Sequence, residues 1–299
     1  MRTFMTVVFV IAMASGCVGD PDVPTRPQAR IDGNAIATNG IATNGIALNG
    51  IATNGIATNQ LSNNLYLLAD NNLMETAESR EVLKYVISCA IPSGITLQAE
   101  HGGVTYVFPG DIGLAPDWLR RGLRETEQRW VSSCLLSRVN RFGVSVTISI
   151  RGPSKSLAVT ADEATDYFVE EGAFYGNVFN RTTEAAPIDW NACRGRDQAA
   201  GDDGTLDLRD CAEPDPAHPG LTLCGFNYAG DCADWALPAN TYACKKFRQP
   251  VEHLSTSDTD LAAHAYLGGY YEDCFDRASS GNWSGARRFS EVITVFLMP

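Results

Sequence analysis

The chain has 299 residues, and 35 acidic against 23 basic side chains leave it a net charge of −12. A surface of that sign repels phosphate backbones and anionic headgroups, which argues against nucleic acid as a partner and against membrane binding by charge. With 44% hydrophobic residues the chain carries enough apolar surface for a folded core.

Residues 1–16 are laid out as an export signal. Arg2 is the positive start, Phe4 to Met13 is apolar apart from Thr6, and small residues follow. The run is short of the ~20 apolar residues that span a bilayer. Ala14-Ser15-Gly16-Cys17 then resembles the lipobox of bacterial lipoproteins. The resemblance implies cleavage before Cys17 and acylation of it, so that Arg2 is lost and 22 basic residues face 35 acidic ones, a net charge of −13. Two or three acyl chains make a stable anchor where a single one does not. Val18 follows the cysteine instead of an aspartate, which within that family favours the outer membrane. The expected location is the cell envelope, with the membrane as first partner through lipidated Cys17.

Residues 17–30 read as a stiff linker containing Pro21, Pro24 and Pro27. In residues 31–70 Ile36, Ile41, Ile46, Ile51, Ile56 and Leu61 recur every five positions, and Asn-Gly pairs at 39–40, 44–45, 49–50 and 54–55 precede the isoleucines. A period of five suits neither helix nor strand, and Asn-Gly supplies a turn in each unit. The segment resembles pentapeptide-repeat proteins, which implies a right-handed solenoid with one apolar residue stacked per unit. Six units make only one or two coils, so the segment is expected to pack on the globular part, stack with other copies, or stay disordered. Residues 33–69 carry no charge, which excludes the rows of carboxylates that a DNA mimic needs.

Residues 71–299 read as one α+β domain. Val82, Leu83, Val86, Ile87 and Ala90 predict a helix stopped by Pro92 and Gly94. Ile95–Ala99 and Val104–Phe108 predict a hairpin turning at Gly102-Gly103. Pro116 is expected to open the longest helix, with Leu119, Leu123, Trp130, Val131, Cys134, Leu135 and Val139 on one face and Gly143 as its cap. Val144–Ile150 alternates as a strand, Thr160 with Glu163 matches a capping box, Tyr167–Phe179 holds one or two strands, and Glu291–Leu297 closes the chain as another. Irregular interleaving of helices and strands favours α+β over a parallel α/β fold. The stretches Glu125–Arg151 and Glu171–Asn177 resemble uncharacterised lipoproteins of myxobacterial type, which also carry Asn-Gly-Ile or Asn-Gly-Leu repeats after a lipobox. That resemblance implies no activity.

Setting Cys17 aside, eight cysteines remain: Cys89, Cys134, Cys193, Cys211, Cys224, Cys232, Cys244 and Cys274. An even set in an exported chain reads as disulfides, and zinc is the weaker reading because no C-x-x-C pair occurs. Cys89 and Cys134 sit on the apolar faces of two predicted helices and are expected to pair. The other six fall in an Asp-, Gly- and Pro-rich stretch that reads as disulfide-held loops over residues 190–285.

The search for chemistry yields no catalytic, cofactor-binding or metal residues. His101, His218, His253 and His264 are dispersed without H-E-x-x-H, and Gly281–Gly285 has one residue too many for G-x-S-x-G. Glu170-Glu171 and Asp202-Asp203 read as charged surface. The acidic run from Asp197 through Asp202, Asp203, Asp207 and Asp210 is a weak calcium candidate that lacks the glycine placement of an EF-hand. Trp190, Phe226, Tyr228, Trp235, Tyr242 and Trp283 either fill small cores between loops, the favoured reading, or stack on sugar rings. The expected function is an anchored envelope lipoprotein that binds a glycan or protein ligand or serves a structural role. The alternative is a lipid-anchored hydrolase acting on glycans or peptides.

Overall fold

The computed structural model describes residues 36–39, 41–42, 72–140, 146–180, 188–195, 216, 224–232, 243–248, 269–276 and 286–299. All of them belong to the second of two units, Met1–Asp32 and Gly33–Pro299. The first two repeat units supply strands β1 (Ile36–Asn39) and β2 (Ile41–Ala42).

Helix α1 (Ala77–Ala90) begins where the Thr76 hydroxyl accepts from the Ser79 backbone N–H, and ends ahead of Pro92. Its apolar face, Val82, Leu83, Val86, Ile87 and Ala90, is buried as expected. The hairpin of β3 (Thr96–His101) and β4 (Val104–Pro109) turns at Gly102 and Gly103, whose φ angles of 60° and 77° suit glycine. Leu97, Ala99 and Phe108 join the same core as α1, and the hairpin's other face is open.

Pro116 does not open the long helix. It opens a 3-10 turn, Pro116–Leu119, that seats Trp118 fully in the core, and helix α2 starts later, at Glu125–Ser137. Gly122 and the extended backbone of Arg124 separate the two. The start of α2 is set by Glu127, whose carboxylate accepts from the Arg124 backbone N–H at 2.7 Å and from both terminal nitrogens of Arg121. Burial pushes the Glu127 carboxyl up, but the Arg121 and Arg124 hydrogen bonds outweigh it and hold the group below the usual carboxylate range. Helix α1, at 14 residues, is longer than α2 at 13. Helix α2 ends at Arg138, and Gly143, expected as its cap, lies outside the described residues.

Strands β5 (Val139–Asn140) and β6 (Val146–Arg151) follow, then α3 (Ala161–Asp166), where Thr160 accepts from the Glu163 N–H. The remaining strands are β7 (Val169–Gly176), β8 (Trp190–Arg194), β9 (Asn227–Asp231), β10 (Cys244–Arg248), β11 (Tyr270–Phe275), β12 (Arg288–Phe289) and β13 (Ile293–Leu297). The cysteine-rich stretch thus supplies strands as well as loops, four of them from β8 to β11. A six-stranded sheet runs β1-β6-β13-β7-β8-β9, antiparallel except for β8 with β9. A three-stranded sheet runs β10-β11-β12, and β2 pairs with β5.

Helix α2 lies across β7 and β13. On that face Ile148, Ile150, Phe174, Trp190, Ile293 and Val295 share a core with the helices. On the other face Ala173, Tyr175 and Cys193 share a second core with Cys244, Tyr271, Cys274 and Phe289 of the small sheet. The large sheet is covered on both sides, so β13 is buried along its whole length instead of alternating. The chain leaves β7 at Gly176, where φ is 131° and an added Cβ would lie 2.3 Å from Asp189 O and 2.4 Å from Trp190 Cα. Gly176→Ala is therefore expected to cost about 2 kcal/mol. A urea midpoint equal to wild type would refute this.

Candidate functional site

Alternation along β6 sends Ile148 and Ile150 to the helices and Ser149 and Arg151 to the opposite face. There Ser149 Oγ donates to Glu163 Oε1 at 2.8 Å, and Arg151 Nε donates to Ser149 Oγ at 2.9 Å. Arg151 Nη2 donates to the Tyr167 carbonyl, and the guanidinium lies 3.8 Å from the centroid of Phe296. In β7 a register shift pairs Gly172 with Val295 but Glu170 with Phe296, leaving Glu171 as the extra residue of a bulge. Tyr271 of the small sheet donates its hydroxyl to Glu170 Oε1 at 2.8 Å and its backbone N–H to Thr294 Oγ1 at 2.9 Å.

Arg151, Glu163, Glu170 and Glu171 are 0 to 2% exposed, so the pair expected on the surface, Glu170-Glu171, is in fact interior. Burial pushes Arg151 down to about 10, with the charges of Glu163 and Glu170 opposing the fall. It therefore stays a cation at neutral pH beside its carboxylates. A general acid or base must reach a substrate proton. Among the described residues the hydrogen bonds of this set run to neighbouring protein groups, and they tie β6, α3, β7 and the small sheet together.

A second charged group is part-buried, with Glu125, Arg287 and Asp276 at its exposed rim. The guanidinium groups of Arg129 and Arg287 stand 5.3 Å and 4.6 Å from the centroid of the Phe289 ring. Arg129 pairs with Glu125 at 2.5 Å and Glu291 at 3.6 Å, and Arg287 pairs with Asp189 and, at 4.0 Å, Asp276. Burial and the neighbouring charge of Arg129 push Arg287 down. Four carboxylates around two guanidiniums leave no excess positive charge to draw an anion.

Cys89 and Cys134, the pair expected from the helix faces, are bonded, with Cα atoms 5.9 Å apart. Arg138 stands beside this bridge, with Nη1 donating to Ser88 Oγ at 2.8 Å and the guanidinium 4.5 Å from the centroid of Tyr85. Burial pushes Arg138 down. Cys193 bonds Cys232 and Cys244 bonds Cys274, and Cys224 is also in a disulfide. The sulfurs of Cys193, Cys232 and Cys244 cluster within 4.8 Å of one another, a spacing that would suit a metal if they were thiolates. They belong to two adjacent disulfides, which leaves no thiolate to ligate. Cys17 and Cys211 lie outside the described residues.

Of the six aromatics, Trp190 and Phe226 are core residues, with Trp190 Nε1 donating to Gly225 O at 2.8 Å and Phe226 meeting Phe174 edge-on. Tyr228 is exposed, and Trp235, Tyr242 and Trp283 lie outside the described residues. So do His218, His253, His264, Asp202-Asp203, the acidic run from Asp197 to Asp210, and Gly281–Gly285, while His101 ends β3 at the hairpin turn. The two stretches read as lipoprotein-like pack on one another. Ser132 Oγ accepts from the Val178 N–H at 3.0 Å, and Asn177 donates to Gln128 Oε1 at 3.1 Å.

The structure shows the first repeat units as β1 and β2, and comparison with known families matches the same segment. Residues 36–61 match the GLTT repeat in six copies. The match covers the repeat segment alone, and the first GLTT units pair with β6 and β5 instead of standing apart from the globular part. No curated protein and no solved structure matches the chain.

Proposed function

We propose that the protein is a lipid-anchored envelope lipoprotein, held in the outer membrane through acylated Cys17, whose globular part acts by binding a ligand or as structure. The observation that carries this reading is the set of buried disulfides. Such bonds persist in oxidising compartments, which is where the signal and lipobox-like residues at 1–17 direct the chain. The GLTT array then lies between the anchor and the rest of the protein.

The test is expression in a bacterium fed a fatty acid that carries a click handle. Wild type is expected to take up the label and sediment with membranes, and Cys17→Ser to lose the label and enter the soluble fraction. An unlabelled, soluble wild type overturns the reading.

A further inference from the structure

The segment that docks on the globular part is a seven-residue run, Ile36–Ala42, reading Ile-Ala-Thr-Asn-Gly-Ile-Ala. Its first four residues lie antiparallel on β6, with Ile36 opposite Ser149 and Asn39 opposite Val146. Its last two lie parallel to β5, Ile41 opposite Val139 and Ala42 opposite Asn140. The same seven residues recur at Ile41–Ala47 and Ile51–Ala57, and Ile46–Ala52 differs only by Leu48 in place of threonine.

A one-residue slip in a strand pair moves every side chain to the wrong face, and this ordinarily fixes register. Here a slip of five residues presents the two host strands with the same residues in the same order. The ladder contacts are then identical, and only the length of the connecting chain changes. That length enters logarithmically, with roughly a threefold change in population for each doubling of the loop.

We propose that the open side of β6, together with β5, is a slot for the Ile-Ala-Thr-Asn-Gly-Ile-Ala segment, and that this chain's own Ile41–Ala47 and Ile51–Ala57 occupy it in exchange with Ile36–Ala42. Each five-residue step shifts up to about 17 Å of extended chain from one side of the slot to the other. The inference does not depend on acylation of Cys17.

The test is cysteine trapping in the full chain. Thr147→Cys, at an exposed site opposite Thr38, is combined in turn with Thr38→Cys, Thr43→Cys or Thr53→Cys. A second series combines Val146→Cys with Asn39→Cys, Asn44→Cys or Asn54→Cys. Neighbouring antiparallel pairs alternate between wide and close spacing, so one series has the closer geometry. After mild oxidation, unreduced peptides are mapped by mass spectrometry, with the native Cys89–Cys134 peptide reporting that each variant has folded. In one series all three variants are expected to give intrachain cross-links with yields within about an order of magnitude. Cross-links confined to Thr38→Cys or Asn39→Cys, or none at all, overturn the proposal. Covalent dimers in place of intrachain links also overturn it, because the slot would then be filled by a second copy.

Discussion

Arg151→Ala is expected to destabilise the protein by about 3–5 kcal/mol, read from urea unfolding at pH 7. The loss comes less from the hydrogen bonds of Arg151 to Ser149 and Tyr167 than from the carboxylates of Glu163 and Glu170, left interior without the cation that faces them. Removing charge from both sides at once, as in Arg151→Met with Glu163→Gln and Glu170→Gln, is expected to cost much less. The single variant also gains a pH signature. Burial without a facing cation favours the neutral form of a carboxyl, so Arg151→Ala is expected to recover stability relative to wild type as pH falls from 7 toward 5. A single variant that loses under 1 kcal/mol at pH 7 would show that the cluster carries little of the fold.

The second large effect is expected from Cys89→Ala with Cys134→Ala. The bridge spans a sequence separation of 45 residues and joins α1 to α2. Closing a loop of that size restricts the unfolded chain by about 4 kcal/mol in the loop-entropy account. Alanine avoids burying an unpaired hydroxyl at two sites that are fully enclosed. The expected result is a fall of about that size in unfolding free energy. The neighbouring Arg138–Ser88 bond limits further change, because it holds the two helices together by a separate route. Unfolding curves that overlay wild type would mean that the helices are held by packing alone.

What could be read from residues alone follows the range of the forces involved. Helix α1, the Gly102-Gly103 hairpin, the Thr160 cap and the strand around Ile148 and Ile150 rest on contacts within a few positions, and their signals are periodicity, turn glycines and a capping hydroxyl. The expected start of α2 at Pro116 failed because a proline at a first turn suits a 3-10 turn as well as a helix, and Glu127 with Arg121 decided where the real helix began. Glu170 and Glu171 gave no local sign of burial. Their place depends on a bulge opposite Phe296 and on Tyr271, 101 residues away. Strands β8 and β11 were missed for a related reason, since short strands covered on both faces lose the alternation that identifies a half-buried strand, and β9 and β10 are five-residue strands with no apolar alternation of their own. The five-residue repeat was plain as a repeat. Its pairing with β5 and β6 depends on edges that only the folded chain presents.

The three bridges whose two cysteines are both among the described residues also decide how the protein responds to proteolysis. A backbone cut anywhere between Cys89 and Cys134, Cys193 and Cys232, or Cys244 and Cys274 separates two cysteines that remain covalently joined. No fragment leaves after such a nick, and strands on either side of the break stay at each other's effective concentration. A single cleavage in those spans therefore scars the molecule without dismantling it.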